Sequence, residues 1–196
     1  MEPSGASGAY GVEPSGGRPA KASTPSPTIM PTPDYILSLR EKIGHDLLLI
    51  PSVTVLTFDE QDRVLLVKHG DRDLWVAPGG SINPNESPAD AAVREMWEET
   101  GLLIEPVRIL GVYGGPEFEV TYTNGDRVTY LMTVFEGRVA SGQIDIQDVE
   151  EIKAARYFSQ AETRLLTRPA WLPVVLADVY RNREVSHFQK AVWKPL

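Results

Sequence analysis

Three glutamates, Glu95, Glu98 and Glu99, stand close together within Gly80–Leu102, GSINPNESPADAAVREMWEETGL. On a helix that turns about 100° per residue they share one stripe, at spacings where like charges repel. A hard divalent cation removes that repulsion, because Mg²⁺ takes oxygen ligands from a few carboxylates, water and substrate phosphates. Arg94 lies one residue before Glu95 and four before Glu98. It can brace a carboxylate of the cluster by a forked, charge-assisted hydrogen bond, a structural role more than a chemical one. A solvated acidic helix face is the plain alternative, but the flanking glycines and the arginine argue against it. In the preceding loop, Trp75 to Gly80 (WVAPGG), Gly79 and Gly80 let backbone groups approach a metal or phosphate where a larger side chain would obstruct.

The elements that must position these groups are also readable. Ser87 suits a helix N-cap, Pro88 the first helical position, and Asp90 the acidic partner of a capping box at the positive end of the helix dipole. Gly101 supplies a left-handed stop, so the residues predict a helix over Pro88 to Thr100. The small Ala91 and Ala92 flank the acidic stripe. Ala89, Val93, Met96, Trp97 and Thr100 fall opposite and are expected to pack on a sheet.

The segment resembles the Nudix box, G-x5-E-x7-R-E-U-x-E-E-x-G-U with U a bulky aliphatic. All its specified positions are filled, by Gly80, Glu86, Arg94, Glu95, Met96, Glu98, Glu99, Gly101 and Leu102. At average residue frequencies such a match arises by chance with odds on the order of 10⁻⁷. The resemblance implies an α/β fold, an α/β/α sandwich around a mixed β-sheet, over about residues 45 to 160. It also implies hydrolysis of the pyrophosphate bond in a nucleoside diphosphate linked to another group, with Mg²⁺ as cofactor and Mn²⁺ as a substitute. By the same resemblance the Gly80 carbonyl is a metal ligand, Glu98 and Glu99 are the principal carboxylate ligands, Glu95 is ligand or general base, and Glu86 assists nearby. In many relatives the base comes from a downstream loop, where Glu150 and Glu151 are the candidates; Glu151 is preferred because it precedes the aromatic pair Tyr157 and Phe158 by a few residues. Some relatives keep the fold as a nucleotide sensor or regulatory binding domain without catalysis, and retention of every acidic box position favours the enzyme.

With 196 residues, 42% of them hydrophobic, the chain is long enough to bury a core. No apolar run approaches a membrane span, the N-terminus lacks a secretory core, and cysteine is absent, so a cytoplasmic location is the expectation. Residues 1–29 are rich in Gly, Pro, Ser, Ala and Thr and are expected to be a disordered tail, with residues 30–196 forming one domain. A short amphipathic helix is predicted from Asp34 to Gly44. Strands follow at Ile50 to Phe58 and at Arg63 to Lys68, the second as antiparallel partner of the first. Val107 to Val112 reads as a strand, Phe118 to Phe135 as a hairpin about Asn124-Gly125, Ile152 to Phe158 as a strand and Ala170 to Asn182 as a helix.

A substrate pocket is expected between the box helix and the segment after Val112, where Tyr113 or Phe118, with Tyr122 and Tyr130 nearby, could stack on a base. Pro116 leans weakly towards ADP-ribose-like substrates, because members that cleave ADP-ribose often carry a proline about this far past the box. Patterns of the NADH-cleaving, coenzyme A-cleaving and dinucleoside polyphosphate classes are missing. A formal charge of −8 argues against nucleic acid as a partner but leaves small nucleotides open, since metal ions supply positive charge. His45, His69 and His187 show no zinc spacing, and His69 before Gly70 is expected in a turn. Dimers are common among the relatives, and the helix Tyr35 to Lys42 could help form a homodimer or simply cover a sheet edge.

Overall fold

The structure, a computed structural model, describes residues 33–70 and 73–195. The expected disordered tail over residues 1–29 lies outside the described residues. Helix α1 (Asp34–Ile43) ends at Gly44 as its pattern predicts, and β1 (Leu48–Leu56), β2 (Val64–His69) and β3 (Leu74–Val76) follow. Then come α2 (Pro88–Thr100), β4 (Leu102–Tyr113), a 3-10 turn at Pro116–Phe118, β5 (Glu119–Thr121), β6 (Arg127–Gly142), β7 (Ile152–Phe158), α3 (Gln160–Thr163), α4 (Trp171–Arg181) and β8 (His187–Phe188).

The strands form two sheets. The larger has the order β1-β6-β4-β8 with β5 also paired to β6, and the smaller has the order β3-β2-β7. The larger is mixed, because β1 runs parallel to β6 and β4 antiparallel to it. The expectation that β2 is the antiparallel partner of β1 is therefore corrected: the two belong to different sheets, and backbone pairing between them is confined to the turn past the end of β1, through the Phe58–Val64 bridge and the Asp59 N–H to Arg63 and Leu65 N–H to Thr57 carbonyl bonds. The reason is that β1 spends its outer edge elsewhere. Val53 N–H donates to the Gly80 carbonyl at 2.9 Å, Val55 N–H to Pro78 at 2.8 Å, and Ile82 N–H to Pro51 at 3.1 Å, so the loop before α2 occupies the position a hairpin partner would take. Asp59 meanwhile caps the turn into β2, accepting the N–H groups of Gln61 and Arg63.

Helices cover opposite sides of the strands. Met96, Ala91 and Ala92 of α2 pack with Val53, Val55, Leu65, Ile104 and Phe135, while Leu172, Val175 and Leu176 of α4 pack with Leu56, Leu66, Leu110 and Val134. Each of these buried side chains larger than alanine contributes about 1.5–3 kcal/mol over its exposed state. No helix among the described residues is long and apolar enough to cross a membrane.

The capping of α2 follows the residues in outline and differs in detail. Ser87 Oγ accepts the Asp90 N–H at 3.1 Å and donates to the Asp90 carboxylate at 2.7 Å, so Asp90 reaches the cap hydroxyl. Gly101 closes the helix at φ 72°, in the left-handed region. The expected packing face is rotated. Met96 and Thr100 are buried, but so are Ala91, Ala92, Glu95 and Glu99, whereas Ala89 is exposed and Trp97 is 53% exposed. The alanines let α2 approach the sheet closely, and helical side chains lean towards the N-terminus, which carries Glu95 and Glu99 over the Gly79–Gly80 loop instead of into solvent.

This rotation separates two neighbouring positions. Met96→Ala is expected to cost about 2–5 kcal/mol in chemical denaturation, and Trp97→Ala within about 0.5 kcal/mol of zero; equal losses would contradict the observed face.

Candidate active site

The site begins with the outer edge of β1, which fixes the loop opposite α2. Gly79 has φ 152°, and a Cβ there would stand 2.2 Å from the Val53 carbonyl oxygen; one at Gly80 would stand 2.5 Å from a carboxylate oxygen of Glu95. Gly79 thus excludes any side chain, a side chain at Gly80 would displace the Glu95 carboxylate, and the loop backbone lies directly against the glutamates. Gly79 N–H donates to Glu99 at 3.2 Å.

Arg94 organises the acidic groups. Its Nε and one terminal nitrogen grip both oxygens of Glu86 at 2.7 and 2.8 Å, and that nitrogen also donates to the Ser81 carbonyl at 3.0 Å. The other terminal nitrogen donates to Glu95 at 2.7 Å and to Glu98 at 3.0 Å. Glu86 also accepts the Asn83 N–H at 2.9 Å, so both its oxygens are held by the framework. Its carboxyl is accordingly pushed below the usual glutamate range, chiefly by the Arg94 fork.

Glu95 and Glu99 respond in the opposite direction. Burial raises Glu95 to about 7, an effect Arg94 opposes and Glu98 and Glu151 reinforce. Burial, with the charges of Glu95 and Glu151, raises Glu99 well above its ordinary value despite the Gly79 N–H. Two buried carboxylates, with Glu98 and Glu151 close enough to act on both, form a site that a cation would relieve. His69 Nε2 stands 3.9 Å from Glu99.

The donor chemistry suits a hard divalent cation. The Gly80 carbonyl accepts one hydrogen bond, from Val53, and an oxygen with two lone pairs can serve a second partner. Glu95 lies against Gly80, Glu99 beneath Gly79, and Glu98 is held by Arg94 on the same helix face. Among the described residues no three His, Cys, Asp or Glu side chains already converge as a finished cage.

A cleft of about 450 Å³ runs from these groups towards α1, lined by Gly79, Gly80, Glu95, Glu99, His69 and Glu151 at one end and by Ile36, Ile50, Tyr122, Val128 and Tyr130 at the other. The structure thus brings Glu151 to the carboxylates, held by its own carbonyl on Gly70 N–H at 2.8 Å, while Glu150 is exposed and does not line the cleft. Tyr113 and Phe118 are corrected as base-stacking candidates. They are 1% and 0% exposed and stack on each other in the α4-side core, with ring centroids 6.0 Å apart, so neither offers a face to a ligand. The Tyr113 hydroxyl is spent on Asp178 at 3.2 Å. Tyr122 and Tyr130 do line the cleft. Alternation along β6 puts Tyr130 on the same face as the buried Val128, Met132 and Val134, so it could not have separated this tyrosine from the core, and α1 as a cleft wall had no local signal. His69 is the last residue of β2 and faces the cleft; the turn expected there begins one residue later.

Similarity to known proteins supplies the family and the fold. The NUDIX domain family matches residues 48–179. A Bacillus subtilis (strain 168) protein provisionally named an 8-oxo-dGTP diphosphatase is 45% identical over 135 residues, which cover 69% of this chain and 76% of that protein. The human diphosphoinositol polyphosphate phosphohydrolase 3-alpha is 38% identical over 89 residues, so the match spans 43% of this chain and only 54% of that relative. Among solved structures, a NUDIX hydrolase from Nitrosomonas europaea superposes with TM-score 0.58 at 28% identity, over 69% of this chain and 91% of that one.

The electrostatics predict a pH dependence. Glu95 holds its proton more tightly folded than unfolded, so its contribution to stability is fully present below the ordinary glutamate range and is lost as pH rises through about 7. The urea midpoint of chelator-treated protein is expected to fall from ~pH 5 to ~pH 8 more steeply than that of Glu95→Gln. Identical slopes would contradict a buried, protonated Glu95.

Proposed function

The chain belongs to the Nudix hydrolase family, and from that premise we propose that it cleaves a pyrophosphate bond in small nucleoside diphosphate derivatives, with nucleoside triphosphates ahead of ADP-ribose-like compounds. The observation that carries this reading is the carboxylate cluster at one end of a cleft whose other end is apolar and aromatic. The nucleoside triphosphate preference is supported by the Bacillus subtilis relative. The Pro116 lean towards ADP-ribose loses force, because Pro116 opens the short turn that buries Phe118 and does not line the cleft.

In this reading the Gly80 carbonyl and Glu95, Glu98 and Glu99 hold Mg²⁺, with Mn²⁺ as a substitute. When bound, the metal supplies neutralisation of phosphate charge and a lowered pKa for attacking water. The chain's own groups do the rest. Glu151 takes the proton from the attacking water, with Glu95 as the alternative base, since both carboxylates adjoin the site and Glu95 is poised near neutrality. Arg94 and Glu86 keep the helix face and loop in register. The net charge of −8 favours a small nucleotide over a nucleic acid, whose backbone needs clustered lysine and arginine.

The test is phosphate release in a coupled assay over nucleoside triphosphates, ADP-ribose, nucleotide sugars and dinucleotides with Mg²⁺ or Mn²⁺. Cleavage of one class is expected, with Glu98→Gln and Glu99→Gln each lowering turnover at least about a hundredfold while the circular dichroism spectrum is kept. Wild-type turnover in a folded double variant would remove the assignment, and nucleotide binding without cleavage of any compound would make the protein a regulator.

A further inference from the structure

Helix α1 lies outside the matched family domain, which begins at residue 48, yet its Ile36 and Arg40 line the cleft. Ile36, 6% exposed, clusters with Ile50 and Val128, and Tyr122 and Tyr130 pack against them. Ile50 stands opposite Tyr130 in the β1–β6 register, and the Tyr122 and Tyr130 hydroxyls lie 2.5 Å apart. Val53, bonded to Gly80 at the carboxylate end, lies three residues further along β1. At about 3.3 Å per residue the apolar end is therefore roughly 10 Å from the metal-binding end, an interval that suits a sugar and its first phosphate. Ser52 lies in this interval and lines the cleft. It is 3% exposed, and its hydroxyl has no hydrogen-bond partner among the described residues. A buried hydroxyl left so is costly unless something else satisfies it.

The helix is fastened at both ends of this wall. Tyr35 donates to the Ile82 carbonyl, in the loop that follows Gly80, at 3.3 Å. Arg40 donates to the Arg127 carbonyl of β6 at 2.8 Å and pairs with Asp126 at 3.6 Å, and His45 meets the same Asp126 at 2.8 Å.

We propose that α1 is the base-facing wall of the substrate cleft. Ile36, with Tyr130 and Ile50, holds the nucleobase by apolar contact; Ser52 hydrogen-bonds the sugar; and Arg40 is a positioning residue that keeps the helix on the β5–β6 hairpin. The cleft therefore selects polyphosphates that carry a flat, largely apolar group over polyphosphates that carry none. The inference rests on the nucleotide reading above, but its test reads binding and not turnover.

The experiment is calorimetric titration of the full chain with α,β-methylene nucleoside triphosphates and, separately, with inorganic tripolyphosphate, both with Mg²⁺. Ile36→Trp, which fills the apolar end, is expected to weaken nucleotide binding about tenfold or more and to leave tripolyphosphate within about twofold of wild type. Ser52→Ala and Arg40→Ala should show the same one-sided loss, so the test survives if Ile36→Trp fails to fold. Equal losses for both ligands, no loss for either, or a wild type that binds neither would overturn the proposal. A one-sided loss in a wild type that binds but does not cleave nucleotides would uphold this wall and sink the hydrolytic reading; cleavage with no one-sided loss would do the reverse.

Discussion

The site depends on what β1 does with its outer edge. A strand edge presents unpaired N–H and C=O groups that must find partners when covered, and here those of Pro51, Val53 and Val55 go to the Pro78–Ile82 loop. This pairing brings Gly79 and Gly80 under α2, at separations where an added Cβ would strike backbone or carboxylate. A hairpin between β1 and β2 would have used the same edge and left the loop unplaced. The split into two sheets and the position of the site are thus one consequence of the same hydrogen bonds.

The buried carboxylates are the cost of that arrangement. Glu95 and Glu99 are each 6% exposed, and like charges in a poorly solvated place favour protonation over charge. Arg94 offsets part of this, but it divides its guanidinium among Glu86, Glu95, Glu98 and the Ser81 carbonyl. The remainder is what a divalent cation would relieve, so the unfavourable electrostatics of the folded chain and the metal binding proposed for it have a common origin.

At the other end of the cleft, burial works in the ordinary direction. Ile36, Ile50 and Val128 form a small apolar cluster of their own, and it is closed by a helix held through Tyr35, Arg40 and the Asp126 turn. That turn is itself set locally: Asn124 accepts the Asp126 N–H, and Gly125 adopts a positive φ. A short hairpin signal in the chain therefore becomes, by packing, an anchor for an element some eighty residues earlier.

The sequence by itself determined the local structure. The Ser87-Pro88 start and Gly101 stop bound α2, Gly44 ended α1, β7 spans the strand read over Ile152 to Phe158, and the acidic residues share one helix face at the expected spacing. All of these rest on periods and caps spanning a few residues. Only the tertiary structure decided which edges pair and which faces meet: that β1 runs beside β6 and not β2, that Glu95 and Glu99 are buried while Trp97 is exposed, that Tyr113 and Phe118 belong to the core, and that α1 and Tyr130 line the cleft. Aromatic residue type could not sort Tyr113 from Tyr130, because both suit a half-buried strand. The choice is made by helices packed from distant parts of the chain, whose contacts leave no periodic mark in the residues they cover.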